Sequence, residues 1–173
     1  YEVAYDGFWE GCRCALPSAN CNWGVSGIVA STVDSNAEFS ITAFDQETYA
    51  YAFEKVRIFY AFSDTSFTIA PGPELKLLNT TFDSIAQFVE FTFARPYTTL
   101  HCVLVQHDSI QTGFTLQGIQ YVSDEPGLVY HSIGVNGAAT YSFLRCQNFT
   151  NQVKFLSPDL VIFGLGINDA YKP

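Results

Sequence analysis

The sequence predicts a mostly β protein. It indicates an antiparallel, jelly-roll-like β-sandwich over residues 1–127, followed by a β-α-β fragment of an α/β domain over 128–173. In the first part, short runs of alternating apolar and polar residues recur between turn residues, which is typical of antiparallel sheets. In the second part, apolar runs lie on either side of one segment with helical periodicity, as in a parallel β-α-β unit.

Alternation defines the strands of the predicted sandwich. In segment 37–44, Phe39 and Ile41 fall on one face, while Glu38 and Ser40 fall on the other. The other predicted strands are 27–33, 54–62, 66–70, 74–80, 86–94, 98–106 and 113–122. The first 26 residues are rich in Gly, Cys, Asn and Trp, so they are predicted to be an irregular loop with at most one short strand.

The second part contains the one predicted long helix, at 140–156. Apolar or small residues recur there at steps of 4, 3, 4 and 3 and therefore share one helix face: Ser142, Cys146, Phe149, Val153 and Leu156. Pro158 ends this helix. An apolar segment beginning at 128 is predicted as the first strand. The continuous apolar run 160–165 is predicted as the second strand, buried on both faces of a parallel sheet.

The composition favours a folded acidic protein. The chain of 173 residues is 48% hydrophobic and 14% charged, which allows a sizeable core. Its net charge is −9 and its pI is about 4.5, and its eight basic residues form no run, so nucleic-acid binding is not expected. No stretch of about 18 apolar residues occurs, so no membrane span is expected.

The sequence contains five cysteines: Cys12, Cys14, Cys21, Cys102 and Cys146. A disulfide from Cys21 to Cys12 or Cys14 would close a short loop and indicate an exported protein. Free thiols are one alternative. A metal site is another, although three clustered cysteines lack a fourth ligand at standard zinc spacing. The chain opens on Tyr1 and has no Met, so we expect a processed or cut chain, from which targeting signals could have been removed.

Two residues of the second part are candidates for chemistry. Gly137 precedes the predicted helix, where free backbone N–H groups can bind an anion. Its loop lacks the dinucleotide-binding spacing, and an ordinary Gly-rich turn is the alternative. Asn168 follows the run 160–165, at the end of a predicted parallel strand where α/β sheets bind ligands. Its neutral amide suits a developing oxyanion, and the alternative is a turn residue that caps the next element.

The sequence contains no identifiable nucleophile. No Gly-x-Ser-x-Gly elbow occurs, and Ser26 and Ser132 have no local signature. His101 lies in a predicted strand, His107 in a predicted turn, and His131 before the Gly-rich loop, where each has an ordinary structural interpretation. A Ser-His-Asp triad cannot be assembled from these residues.

The segment YHSIGVNGA, followed by a helix and then PDLVIFGLGINDAY, resembles the SGNH, or GDSL-type, hydrolases. In that family a Gly-Asp-Ser block carries the nucleophile, and a second block supplies a Gly backbone N–H. A Gly-x-Asn-Asp block supplies the oxyanion-hole Asn, and an Asp-x-x-His block supplies the base. Gly137 matches the second block better than Gly134 does, and 166–169 match the third at every defined position. The resemblance covers about the last 45 residues and implies a partial flavodoxin-like α/β domain.

The resemblance implies a portion of a secreted SGNH-type ester hydrolase. Some esterases of acetylated polysaccharides or peptidoglycan carry a carbohydrate-binding-module-like β-sandwich between the first and second blocks, and the first part of this chain is similar to such an insert. Gly137 and Asn168 would form the oxyanion hole, while the Ser and His would lie outside this chain, which alone is expected to be inactive. A glycan or acylated small-molecule substrate, the remaining segments of the same polypeptide as partner, no cofactor or metal, and an extracytoplasmic location are expected.

The rival interpretation is a non-catalytic carbohydrate-binding β-sandwich module. Trp9, Trp23 and Tyr5 are its possible ligand-binding residues, because exposed aromatic rings in a loop can stack on sugar rings. A structural or adhesive sandwich without a ligand is a third interpretation.

Overall fold

The computed structural model describes residues 2–42, 44–45, 49–124 and 126–171. The strands are β1 (Glu2–Asp6), β2 (Glu10–Arg13), β3 (Ile28–Thr32), β4 (Glu38–Thr42), β5 (Phe44–Asp45), β6 (Tyr49–Ala50), β7 (Phe53–Tyr60), β8 (Thr68–Pro71), β9 (Leu77–Asp83), β10 (Phe88–Tyr97), β11 (Thr99–Val105) and β12 (Phe114–Val122). The helices are α1 (Thr140–Leu144), α2 (Phe149–Leu156) and α3 (Ile167–Ala170). None of the helices in the described ranges is long and apolar enough to cross a membrane.

Two antiparallel sheets form the body of the protein. The four-stranded sheet has the order β1-β4-β11-β8, the six-stranded sheet has the order β2-β3-β12-β7-β10-β9, and β5 pairs with β6. All strand pairs described in these sheets are antiparallel. Each predicted strand of the first part overlaps an observed strand, so the prediction of a mostly β, antiparallel fold is confirmed.

The space between the two sheets holds the main core. Phe39 and Leu100 from the four-stranded sheet meet Ile58 and Phe91 from the six-stranded sheet in one buried cluster. Alternation produces this arrangement, because every second residue of a strand points to the same face. Each large apolar side chain buried here contributes roughly 1.5–3 kcal/mol, so this cluster is the principal source of stability.

The outer face of the six-stranded sheet is partly covered by α2. Phe59 alternates with the core residues of β7 and lies on this outer face beside Phe88. The ring of Phe155 on α2 contacts both, with centroid distances of 6.3 Å to Phe59 and 4.4 Å to Phe88. The guanidinium of Arg57 lies 4.9 Å from the centroid of Phe155. The helix is therefore packed onto the sandwich.

The predicted long helix is two short helices, so the prediction of one continuous helix over 140–156 was wrong. The break falls at 145–148, between α1 and α2. There the side chain of Gln147 accepts a hydrogen bond from the Trp23 N–H at 3.0 Å, and the Asn148 N–H donates to the Trp23 carbonyl at 3.2 Å. The side chain of Gln147 and the backbone N–H of Asn148 are thus used in hydrogen bonds to the loop that carries Trp23, and the helix is interrupted where these bonds form.

The two strands predicted beside the helix are not formed. Within the described part of the chain, segments 128–133 and 160–165 have no strand assignment and no ladder partner. Their apolar side chains are exposed, with Leu128 at 93% and Phe163 at 76% of full exposure. The parallel β-α-β unit is therefore not confirmed. The physical reason is that a strand needs a neighbour for its backbone hydrogen bonds, and the described residues supply none here.

The N-terminal segment has more regular structure than the predicted loop. β1 pairs with β4 and β2 pairs with β3, each at the edge of a sheet. A disulfide joins Cys12 to Cys21 with a Cα–Cα distance of 6.6 Å, which confirms the predicted loop disulfide and selects Cys12 as the partner. The other three cysteines are buried free thiols.

His101 on β11 ties three parts of the sandwich together. Its Nε2 lies 2.9 Å from the Glu38 carboxylate on β4, and its Nδ1 lies 2.8 Å from the Glu74 carboxylate. Both ring nitrogens can donate only when the imidazole is protonated. Partial burial lowers the pKa of His101, but the hydrogen bonds and charges of the two carboxylates outweigh it, and the net shift is upward.

We therefore expect a pH-dependent stability. The contribution of His101 should be complete below the ordinary histidine pKa of about 6.5 and should be lost as the pH rises through the higher folded value. The loss should reach up to about 1 kcal/mol, because the cluster is partly exposed to water. Urea unfolding between mildly acidic and mildly alkaline pH measures it. His101→Gln should remove the dependence and His107→Gln should keep it; an unchanged dependence in His101→Gln would contradict the assignment.

Candidate functional site

The loop before α1 places Gly137 on the surface above a small buried core. Val135 and Ala138, on either side, are buried, and the Ala138 N–H donates to the Val135 carbonyl at 3.0 Å. This tight turn gives Gly137 a φ of +81°, a left-handed conformation that favours glycine. None of the described residues accepts a hydrogen bond from the Gly137 N–H. The turn therefore presents a backbone donor that is available to a ligand.

The segment 166–169 docks against the same loop. The Nδ2 of Asn168 donates to the Ala138 carbonyl at 2.9 Å. The carboxylate of Asp169 accepts from the Thr140 N–H at 3.0 and 3.1 Å and from the Thr140 hydroxyl at 3.3 Å. These contacts place the Asn168 side chain beside Ala138, the residue that follows Gly137 in the loop.

Asp169 has a capping role that the sequence analysis did not assign. The N-cap of α1 is Ala139, whose side chain cannot accept a hydrogen bond from the first turn of the helix. The Asp169 carboxylate supplies that acceptor and adds a negative charge at the helix start, which is favourable. The sequence showed only that Asp169 lies next to Asn168. Its hydrogen-bond partner, Thr140, is brought to it by the tertiary structure.

Asn168 retains donor capacity after docking. A side-chain amide carries two N–H bonds, and the contact to Ala138 uses one of them. The residue as a whole is exposed, and no described residue accepts a hydrogen bond from its second N–H. The arrangement thus offers two neutral donors, one from a side chain and one from the backbone, on neighbouring segments. Neutral donors stabilise a developing oxyanion without giving up a proton.

No hydrogen bond between a serine hydroxyl and a histidine ring occurs within the described ranges. The Ser26 hydroxyl instead lies 2.8 and 2.6 Å from the backbone carbonyls of Ile28 and Gln117, either of which can accept its single proton. His131 and Ser132 line a pocket of about 340 Å³ against β12 and α2, and neither Gly137 nor Asn168 belongs to its lining. The described residues therefore supply donors but no activated nucleophile.

The structure corrects the aromatic candidates. Trp23 is only 1% exposed, its Nε1 donates to the Cys12 carbonyl at 3.2 Å, and it cannot stack on a sugar. Trp9 is partly buried and makes edge contacts with Phe39 and Phe114 of the core. Tyr5, at 50% exposure, is the one candidate of the three with an exposed ring. Tryptophans in an irregular loop carry no periodic signal, so the sequence could not show which way they face.

Arg145 joins the end of α1 to the Cys12–Cys21 loop and was not a sequence candidate. Its guanidinium donates to the carbonyls of Cys14, Leu16 and Ala19, and it lies 5.0 Å from the centroid of the Trp23 ring. The Cys12–Cys21 loop is thereby held against the end of α1. The same loop contacts Val135 and Ala138 in a second buried cluster. The turn that carries Gly137 is therefore packed against the N-terminal loop and β3 of the sandwich.

Comparisons with known proteins do not assign a family. No protein-family model matches the chain, and no curated protein matches it at a significant level. The resemblance of the Gly137 and Gly166–Asp169 motifs to hydrolase blocks therefore remains a prediction.

Proposed function

We propose that this chain is a portion of a secreted SGNH-type ester hydrolase and holds its oxyanion-hole residues. The observation that carries the proposal is the docking of segment 166–169 on the Gly137 loop through Asn168 and Asp169. Two motifs that resemble neighbouring blocks of one active site lie in contact, as that function requires.

The proposed mechanism assigns a limited role to this chain. A serine outside the described residues attacks the ester carbonyl, and a histidine outside them transfers the proton. The Gly137 N–H and the Asn168 amide hold the oxygen as it gains negative charge. Each such donor typically contributes about 3 kcal/mol to transition-state stabilisation, because it is already oriented before the reaction begins.

The exposed apolar segments support an incomplete α/β domain. Segments 128–133 and 160–165 place apolar side chains in water and leave their backbone without ladder partners among the described residues. In the proposed hydrolase they are adjacent parallel strands of a central sheet, and the flanking segments of the same polypeptide complete it. That sheet would bury the runs and hold Asn168 at a strand end.

The proposed substrate is an acyl ester, in particular an O-acetyl group on a glycan or on peptidoglycan. The Cys12–Cys21 disulfide supports an extracytoplasmic location, because such bonds persist in oxidising compartments. The β-sandwich is the proposed insert. The proposed ester hydrolysis needs no cofactor.

A second candidate, a non-catalytic carbohydrate-binding module, has one observation in its favour. A groove of about 490 Å³ lies on the six-stranded sheet and includes the exposed ring of Phe8. Glu10, Ser31 and Thr115 occupy one register across β2, β3 and β12 and line this groove. An aromatic ring beside short polar groups suits a sugar.

One experiment separates the two candidates. Hydrolysis of a nitrophenyl acetate is compared for this chain and for the longer polypeptide that contains Gly-Asp-Ser and Asp-x-x-His. We expect turnover only from the longer protein, because an oxyanion hole acts only on a carbonyl under attack. Turnover by the isolated chain, with a titratable serine, would place the nucleophile within it and refute the block assignment. No turnover from either, together with binding of an oligosaccharide, would favour the binding module.

A further inference from the structure

Four cysteines meet beneath the Gly137 loop, and only two of them are bonded. Cys12 and Cys21 form the disulfide, while Cys14 and Cys146 are buried free thiols in the same cluster. Each of these two thiols contributes to the pKa of the other, and the Cys146 Sγ donates to the Ser142 carbonyl at 3.7 Å. Two thiols that share a buried cluster can be linked covalently if their Cα atoms come within about 7 Å of each other.

The surrounding backbone keeps the two thiols together. The Cys14 N–H donates to the Gly27 carbonyl at 2.8 Å, and the Cys14 carbonyl accepts from Arg145, the residue before Cys146, at 3.4 Å. On the other side, the Cys146 N–H donates to the Phe143 carbonyl at 3.1 Å. Both residues are thus held by contacts that do not involve their sulfurs.

Cys102 provides an internal contrast. It is fully buried on β11 among the apolar side chains of the sandwich core, in a different cluster from the other four cysteines. No second cysteine lies in that core cluster among the described residues. Cys102 is therefore expected to stay a thiol under all oxidising conditions that leave the protein folded.

We infer that Cys14 and Cys146 form a second disulfide in an oxidising compartment, which joins the loop after β2 to the connection between α1 and α2. The two thiols lose two protons and two electrons as the S–S bond forms. A small disulfide oxidant, such as oxidised glutathione, accepts the electrons and protons, and its own S–S bond breaks to give two thiols. This inference does not depend on the proposed ester hydrolysis.

The crosslink forms during folding. Burial raises the pKa of the Cys14 thiol and raises that of Cys146 to about 12, so few thiolates exist in the folded protein. Because the thiolate is the attacking species, exchange is fast before the cluster closes and slow afterwards.

The expected consequence is a large gain in stability. The link connects two positions far apart in sequence, and constraint of the unfolded chain increases with loop length. The melting temperature of the oxidised protein should exceed that of the Cys146→Ser variant by about 10 °C. The bond also links the loop after β2 to the segment that follows α1, in the same buried cluster as Val135 and Ala138.

Thiol counting after refolding tests the inference. The reduced chain is refolded with reduced and oxidised glutathione, unfolded without reductant and alkylated. Mass spectrometry of the intact chain then gives the number of alkylated cysteines. One alkylated cysteine, Cys102, is expected. Cys146→Ser and Cys14→Ser should each show two, and Cys102→Ala should show none. These counts are read in the unfolded state, so they hold even for a variant that folds poorly.

Tryptic mapping adds the connectivity, because cleavage after Arg13 and Arg145 separates the peptides that carry Cys12, Cys14 and Cys146. The peptide that begins at Cys14 should be linked both to the N-terminal peptide and to the peptide that begins at Cys146. Three alkylated cysteines in the wild-type chain would overturn the inference. A Cys146 peptide recovered without a partner would overturn it as well.

Discussion

Replacement of Asn168 by Ala in the longer, active polypeptide should lower kcat by about a hundredfold or more, with a smaller change in KM. The side-chain amide is the proposed donor to the oxyanion, so its loss removes an interaction that matters most in the transition state. Substrate binding depends mainly on other contacts, and KM should therefore change less. Steady-state hydrolysis of a nitrophenyl acetate gives both constants.

The same variant needs a folding control, because Asn168 also donates to the Ala138 carbonyl. Asp169→Asn separates the two roles. It weakens the contact to Thr140 and the charge at the start of α1, but it leaves the Asn168 donor in place. Thermal melting of both variants shows whether the loop is still docked. A folded Asn168→Ala enzyme with wild-type kcat would mean that segment 166–169 is only a turn, and the proposed oxyanion hole would be abandoned.

A large loss of stability is expected from Gln152→Ala on α2. Gln152 is 0% exposed, and its side chain joins the helix to the sandwich through three hydrogen bonds. Its Nε2 donates to the Ala86 carbonyl at 3.2 Å and to the Gln117 side chain at 2.8 Å, and its Oε1 accepts from the Val25 N–H at 2.7 Å. Removal leaves two buried polar groups and the partly buried Val25 N–H without that partner, so the free energy of unfolding should fall by about 3 kcal/mol.

Asn151→Ala is the matched control, since Asn151 is the exposed neighbour of Gln152 on the same helix. Its effect should stay within about 0.5 kcal/mol. Urea unfolding of the wild type and both variants measures the difference, provided that the m value is unchanged. Similar stabilities for Gln152→Ala and Asn151→Ala would show that α2 is held by Phe155 and its neighbours alone.

Sequence alone determined the features that depend on neighbouring residues. The alternation around Phe39 predicted a strand because a pleated chain sends successive side chains to opposite faces, whatever lies beyond. A short disulfide loop ending at Cys21 was predictable from the cysteine spacing, with Cys12 or Cys14 as the partner, and the structure selected Cys12. The motifs containing Gly137 and Asn168 also singled out two residues that the structure places on adjoining segments.

Tertiary structure decided whatever depends on a distant partner. The helix over 140–156 broke because Gln147 and Asn148 bind the backbone of Trp23, a partner that helical periodicity does not reveal. Trp23 became core because Arg145 and the disulfide loop enclose it. The run 160–165 has the composition of a buried strand, but a strand forms only where another strand accepts its backbone hydrogen bonds. The local sequence pattern determines which secondary structure a segment can form. The distant residues that bind and pack against the segment determine whether it forms that structure.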